Sequence, residues 1–297
     1  MEHDVFNTDR PLLFSIAYRM LGSASDAEDV LQDAWLRYRG ADPSTIRSPK
    51  AFATTVVTRL CLDRLKSART TRETYIGPWL PEPVLTSEVE RPDDMLQRSE
   101  SITFAFLVLL EKLSPEERAV FLLKDVFDYD HSEIGAMLGM SAENSRQLLH
   151  RAKSRLAGGR PRLTGTAESR RAIAERFARA FSSGDGSELT SLLAQDVTLL
   201  SDGGGKVAAA RRPLLGRDEV VKFLVGLHRV GETTGLAREA SLTLEDINSE
   251  AALTLRLGGH LESVFVLSIE NQSISAIRVA RNPDKLAHID RQLKTLH

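Results

Sequence analysis

The chain has 297 residues, 42% of them hydrophobic, with 39 lysines and arginines against 41 aspartates and glutamates and a formal charge of −2. Two or three domains with real cores are expected from this length and composition. One cysteine, Cys61, excludes an internal disulfide and a cysteine-rich metal site. No run of about 18 apolar residues is present to span a membrane, and the acidic start MEHDVFNTDRPLLF, interrupted by Pro11, does not resemble a secretory signal. A soluble cytoplasmic protein without metal or cofactor is therefore expected. The near-neutral total leaves nucleic acid open as a partner, because local charge governs phosphate binding.

In chain order, the first block, about 4 to 75, reads as helices. RPLLFSIAYRMLG places Leu12, Leu13, Ile16, Ala17 and Met20 at helical spacing, with Gly22 as a stop. SASDAEDVLQDAWLRYRG restarts with Ser25 as the expected N-cap and acids in the first turn, facing the positive end of the helix dipole. SPKAFATTVVTRLCLDRLKSART is a third long helix with Phe52, Val56, Leu60 and Leu65 on one side. YIGPWLPEPVLTSEVERPDD carries Gly77, Pro78, Pro81, Pro83 and Pro92 and reads as an extended linker over 76–95, not a helix.

The second block, 96–157, is helical again. Ser114 caps a helix with Pro115 at its first position. His131 to Leu138 forms a short helix, Gly139 ends it in the left-handed conformation, and Ser141 caps the next. Ile134, Leu138, Leu148, Ala152 and Leu156 can pack together. Asn144, Arg146, Gln147, His150, Arg151 and Lys153 remain outside. A short helix, a tight turn and a basic amphipathic helix have the form that enters a major groove, where arginine grips guanine and asparagine or glutamine grips adenine. Lys153 and Arg155 suit phosphates. A solvated basic helix in a plain bundle fits the same residues.

AGGRPRLTGT is a hinge, and 167–297 changes character. A helix, AESRRAIAERFARAFSSGD, precedes the strand-like runs DVTLLSD, ASLTLEDI, AALTLRLG, ESVFVLSIE and SISAIRVAR, with a second helix in GRDEVVKFLVGLHRV. This predicts an α+β domain with a curved, mostly antiparallel sheet. No internal repeat is present.

The order SIAYRMLGSASDAEDVLQDAWLRY, SPKAFATTVVTRLCLDRLKSA, LSPEERAVFLLKDVFDYDHSEIGAMLG, then the basic helix, resembles the extracytoplasmic-function (group IV) sigma factors over about the first 157 residues. WLPEP (Trp79, Leu80, Pro81, Glu82, Pro83), DGGGK (Asp202, Gly203, Gly204, Gly205, Lys206) and NPDK (Asn282, Pro283, Asp284, Lys285) extend the resemblance to the sigma factor J type with a SnoaL-like C-terminal extension.

The resemblance implies a multidomain chain. Two all-α promoter-reading domains, at 1–75 and 96–157, precede an α+β cone of the SnoaL or nuclear transport factor 2 type at 167–297. It implies core RNA polymerase and promoter DNA as partners. Asp26, Glu28, Asp29, Val30, Gln32 and Asp33 match the polymerase-docking stretch, although Val30, Leu31 and Ala34 also suit a core. Arg59, Asp63, Arg64, Lys66, Arg69 and Arg72 match the basic edge of the minus-ten reader, which lacks the aromatic platforms usual in single-strand capture. A local ion pair of Asp63 with Arg59 or Arg64 is the competing reading. Arg146, Gln147, His150 and Arg151 fall on the minus-thirty-five face. Ser145 occupies a position apolar in many relatives, where it either loosens the helix start or contacts a phosphate.

SnoaL-like cones include isomerases, cyclases and hydratases. The candidate acid–base residues here are Asp202, His228, His260 and Glu262, and none stands at a spacing that requires catalysis. Asp202 before three glycines reads as a turn residue, and His228 as a solvated or dipole-stabilised residue near a helix end. No catalytic residue is assigned. Regulation in place of a separate anti-sigma protein is the implied role, with the three motifs as contacts and Trp79 as a buried anchor. A small apolar ligand in the cone is a third reading. A monomer is expected when free.

Overall fold

The computed structural model describes residues 5–42, 44, 46, 48–89, 102–157 and 164–296. Pro92, the expected linker end near 95 and most of AGGRPRLTGT lie outside them. The chain divides into two compact units. One contains residues 1–74, 87–102 and 106–160; the other contains 75–86, 103–105 and 161–297. The first half of the expected linker thus counts with the C-terminal unit.

In the first unit, α1 (Val5–Leu21), α2 (Ala24–Gly40) and α3 (Pro49–Glu73) form a three-helix bundle. Its core includes Leu13, Ile16, Ala17, Met20, Ala27, Val30, Ala34, Val57 and Cys61. The first helix runs through Pro11 rather than being interrupted there. Gly22 adopts φ +67, and the N-cap of α2 is Ser23, not Ser25. Its hydroxyl accepts from Asp26 N at 3.0 Å, which leaves Ser25 inside the first turn. The linker holds one short helical turn, α4 (Thr86–Val89), where none was expected.

Next come α5 (Phe104–Leu110) and α6 (Pro115–Phe121), the latter continued by a π-helical turn at Leu122–Val126. Ser114 and Glu117 form a reciprocal capping box with Pro115 as the first helical residue. Helix α7 (His131–Leu138) ends at Gly139 with φ +70, and α8 (Ala142–Leu156) starts from Ser141, whose hydroxyl accepts from Asn144 N at 3.1 Å. Ile134 and Leu148 pack with Val120, Leu123 and Met137, while Leu138 lies at the edge of that cluster.

A polar seam ties the bundle to these helices. Arg118, 3% exposed, donates to Met20 O and Leu110 O, each at 2.8 Å. Arg59 donates to Met137 O at 2.7 Å, at the negative end of α7. Lys66 pairs with Glu116 at 3.0 Å, and the Arg19 guanidinium lies 5.6 Å from the Phe127 ring centroid.

In the second unit, α9 (Ala167–Ser183) and α10 (Gly186–Leu192) precede β1 (Leu193–Asp202) and the two-residue β2 (Leu214–Leu215). Then follow α11 (Arg217–Thr234), β3 (Ala240–Ile247), β4 (Glu250–Leu257), β5 (His260–Glu270), β6 (Ser273–Ala280) and α12 (Pro283–Leu296). The sheet order is β2-β1-β6-β5-β4-β3, antiparallel except for β1 beside β6. The strand alternation had located five of these strands; β2, α10 and α12 were not anticipated.

Alternation divides the sheet into two faces. Val197, Leu199, Leu253, Phe265, Ile277 and Val279 belong to the core that also contains Phe177, Phe181, Val220 and Leu224 of the helices. Residues of the opposite parity, such as Asp202, Glu250 and Arg278, bear other contacts. Glu250 accepts from Phe104 N at 2.7 Å and from the Ser268 hydroxyl, which in turn accepts from Arg278 at 2.6 Å. Burial pushes the Glu250 carboxyl up, against the neighbouring Arg278 charge.

The Arg118→Ala variant should lower the unfolding free energy of the first unit by about 2–4 kcal/mol, because it strands two buried carbonyls. Urea denaturation followed by circular dichroism measures this, and a change under about 0.5 kcal/mol would contradict the seam's structural role.

Candidate functional site

On α2, Asp26, Asp29, Gln32 and Asp33 are exposed and Glu28 is half-buried. Val30 is fully buried, so its side chain belongs to the core and not to a docking face. Sequence reasoning missed Leu36, which is 56% exposed on the same helix. Its signal was phase: it follows Asp29 and Asp33 by seven and three positions, out of step with buried Ala27, Val30 and Ala34.

Three of the residues expected at the minus-ten edge, Arg59, Arg64 and Lys66, already have intramolecular partners. Arg64 reaches Asp26 at 2.7 Å, Asp29 at 3.4 Å and Asp33 at 3.9 Å, so it neutralises part of the acidic face. Arg59 is taken up by the α7 carbonyls and Lys66 by Glu116. Neither arginine pairs with Asp63 among the described contacts, contrary to the local ion-pair reading. The side chains of Arg69 and Arg72 lie outside the described part.

Helix α8 turns Leu148, Ala152 and Leu156 inward and exposes Asn144, Arg146, Gln147, His150, Arg151 and Lys153. Ser145 is fully buried, and its hydroxyl meets His131 Nδ1 at 2.9 Å. It therefore tethers α8 to α7, and neither loosens the helix nor faces a phosphate. Desolvation and the nearby Arg146 and Lys124 charges hold the His131 imidazole below its ordinary pKa. Arg146 and Gln147 both lean on Glu143, at 3.2 and 3.4 Å. Lys153 pairs with Asp125 at 2.7 Å and Arg155 with Glu117 at 2.6 Å. His150 and Arg151 have no side-chain partner among the described residues.

The three motifs of the second unit converge on Asp202. This residue ends β1 and is fully buried, rather than occupying a turn. One carboxylate oxygen accepts from the Tyr75 hydroxyl at 2.6 Å and Gly204 N at 3.0 Å. The other accepts from Leu80 N at 2.8 Å and Lys285 Nζ at 2.7 Å. Burial and the Asp202 bond push the Tyr75 phenol well up. Lys285 also donates to Leu80 O and lies 4.3 Å from the Trp79 ring centroid and 4.8 Å from that of Tyr75.

Gly204 and Gly205 have φ of +59 and +73. A Cβ at Gly205 would stand 2.9 Å from the Ile76 side chain, so glycine serves both the turn and the close approach. Asn282 donates to the Tyr75 hydroxyl at 2.9 Å, Pro283 opens α12, and Lys206 pairs with Asp284. Trp79 is only half-buried; Leu80, with Pro81, Glu82 and Pro83, is buried, so Leu80 replaces Trp79 as the anchor.

A second clasp was not legible in the sequence. Val84 N donates to the Asn248 side chain at 3.1 Å, Asn248 N returns a bond to Val84 O, and Thr86 accepts from Ser249 N at 2.8 Å. Asn248 and Ser249 both have positive φ, the signature of a two-residue hairpin turn.

The four acid–base candidates are not gathered. Asp202 faces the linker, and His260 is exposed at the start of β5. Glu262 lies 4.0 Å from Arg281. His228 is not solvated: its side chain is 16% exposed, 3.7 Å from Glu232, and lines a cavity of about 590 Å³ inside the second unit. No group of three or more histidine, cysteine, aspartate or glutamate side chains able to hold a metal occurs among the described residues, and no described helix is long and apolar enough to cross a membrane.

Two helical modules, one with a capped helix-turn-helix, followed by an α+β domain on a six-stranded sheet, define a promoter-recognition protein. Comparison agrees: Sigma-70 region 2 matches residues 5–71 and Sigma-70 region 4 matches residues 103–156. The chain is 35% identical to the ECF RNA polymerase sigma factor SigJ of Mycobacterium tuberculosis, over 96% of this chain and 93% of that one. It is 31% identical to the probable ECF RNA polymerase sigma factor SigI of the same organism, over 96% of each. The crystal structure of SigJ superposes with a TM-score of 0.75 at 33% identity, covering 96% of this chain and 98% of the other. The chain belongs to the extracytoplasmic-function sigma factors and is an RNA polymerase sigma factor that carries a C-terminal α+β domain.

In a Trp35→Phe background, which leaves Trp79 as the sole indole, Asp202→Asn should remove the Lys285 ion pair and shift Trp79 emission to longer wavelength. Breaking a buried pair costs about 3–5 kcal/mol, and an unchanged emission maximum with unchanged linker proteolysis would refute the clasp.

Proposed function

We propose that the polar face of α2 (exposed Asp26, Asp29, Gln32 and Asp33 with half-buried Glu28), with Leu36 added, docks on core RNA polymerase. In this reading Arg59, Asp63, Arg64, Lys66 and Arg69 of α3 serve the minus-ten element. Asn144, Arg146, Gln147, His150 and Arg151 of α8 read the minus-thirty-five element, with Lys153 on phosphate. The observation that carries this reading is α8 itself. It is capped, tethered by Ser145 to His131, and presents one polar face opposite a buried apolar one. Arginine and glutamine on such a face can each make bidentate contacts with a base.

The first unit as described is a closed state. The minus-ten and minus-thirty-five elements lie about 25 base pairs apart, about 85 Å of duplex axis, whereas α3 and α7 touch directly through Arg59. The seam must therefore open for both elements to be read at once. Opening also frees Arg59 and Lys66 for DNA.

The cone acts as a regulator through the linker rather than as an isomerase or hydratase. Asp202, Asn248 and Asp246 are spent on Tyr75 to Thr86, and the acid–base candidates are scattered.

Two results test the proposal. Arg146→Ala should weaken promoter binding by the holoenzyme by about 1–3 kcal/mol, measured by fluorescence anisotropy on promoter fragments. Dyes at Arg37→Cys and Ser154→Cys, exposed positions of α2 and α8 outside both proposed contact sets, with native Cys61 buried and its thiol pushed up, should lose energy transfer when core polymerase and promoter DNA are added. Unaltered transfer in a complex that co-elutes would overturn the opening; failure to co-elute with core would overturn the docking face.

A further inference from the structure

The cavity in the second unit is bounded by α9, α11 and the core-facing side of the sheet. Its volume of about 590 Å³ falls within the range that holds drug-sized molecules. The wall is apolar over most of its extent, with Phe181, Phe223, Leu242, Leu255 and Phe265 prominent.

The polar side chains of the lining are few: Ser182, Ser201, Ser263, His228 and Arg281. Ser201 and Ser263 line the cavity, are 3% and 2% exposed, and their hydroxyls have no protein partner among the described residues. Among the described residues of the lining, Arg281 is the one permanently charged side chain, and none is a carboxylate. Its guanidinium donates to Ala208 O, stands 4.0 Å from Glu262 outside the lining, and keeps an Nε–H without an acceptor. A cation with unspent donors, flanked by two hydroxyls in an apolar chamber, suits an anionic group on an apolar body.

The cavity is built into the linker clasp. Ser201 lines the chamber and its neighbour Asp202 holds the linker; Arg281 lines the chamber and its neighbour Asn282 holds Tyr75. Arg281 N and Asn282 N both donate to Asp202 O, at 2.8 and 2.9 Å. The loop after β1 spans the two sites: Gly204 and Gly205 approach Tyr75 and Ile76, while Ala208, Ala209 and Ala210 form cavity wall. A ligand that draws on Arg281 competes with the bond to Ala208 O and so acts on that loop.

We propose that the chamber between α9, α11 and the sheet binds an apolar monocarboxylate through Arg281, Ser201 and Ser263, and that its occupancy shifts the hold of Asp202 and Lys285 on the linker. The coupling half rests on the regulatory reading of the cone; the binding half does not. By linkage, whatever factor the ligand changes the clasp by, the clasp changes ligand affinity by the same factor.

The test is isothermal titration of the full chain with decanoate and with 4-phenylbutanoate. Methyl decanoate and decyltrimethylammonium are the controls, and Trp79 emission is read in parallel in the Trp35→Phe background. The expected result is binding of at least one acid, at least tenfold weaker binding of the ester and the cation, and a shift in Trp79 emission on saturation. Arg281→Leu should cost at least tenfold in affinity for that acid. Leu242→Trp, which fills the chamber without touching the guanidinium, should abolish binding.

Equal affinity for acid and ester, or undiminished binding by Leu242→Trp, would overturn the proposed site, as would no binding of either acid. Binding with constant Trp79 emission, and with the same affinity in Asp202→Asn, would overturn the coupling. A transcriptional effect of Asp202→Asn in a protein that binds neither acid would reject the ligand while leaving the regulatory reading intact.

Discussion

The second unit depends on one buried carboxylate. Asp202 is fully buried and its oxygens accept from Tyr75, Leu80, Gly204 and Lys285. An ionised carboxylate in such a place is tolerable only when its acceptor sites are filled and a cation is near. Each of the three motifs supplies part of that solution. The linker gives a phenol and an amide, the glycine turn gives an amide, and the first turns of α12 give the ammonium. Removing any one leaves a buried charge short of partners, so the segment 75–86 is held in place by electrostatics as much as by burial of Leu80.

The period of a strand explains how one short stretch serves two purposes. Successive residues at the end of β1 point to opposite faces, so Ser201 lines a chamber while Asp202 grips the linker; just past β6, Arg281 lines the chamber and Asn282 grips Tyr75. Adjacent residues cannot move independently, and their backbone amides converge on the same carbonyl. The first unit follows a different rule. There several of the ionic groups expected to meet polymerase and DNA already have partners of opposite charge, as Arg64 has three aspartates and Lys153 has Asp125. Exchange of such partners for phosphates carries a smaller cost than stripping bare charges from water, because an exposed pair is worth only about 0–1 kcal/mol.

Local signals in the sequence located much of the architecture. The capping of α6 and α8 by Ser114 and Ser141, the left-handed stop at Gly139, the outward face of α8 and five strands follow from spacing and turn chemistry alone. Errors arose where a tertiary partner overrode a local preference. Ser145 reads in sequence as loosening the helix start or contacting a phosphate, whereas it is buried against His131. Asp202 before glycines looked like a turn residue, although it closes a strand and lies inside. Trp79 had the larger surface, yet the backbone of Leu80 faces the carboxylate and its side chain takes the buried place.

The sequence by itself determined the order of helices and strands, the basic face of α8, and, through the family's motifs, membership among the sigma factors. Those properties are local or linear, set by periodicity, caps and short motifs. Only the tertiary structure decided which charges are spent and which are free, that the linker's first half counts with the C-terminal unit, and that a chamber backs onto the linker clasp. Such facts depend on contacts between residues 80 to more than 200 positions apart in the chain, such as Leu80 with Asp202 and Tyr75 with Asn282, and no local pattern encodes a distance of that kind.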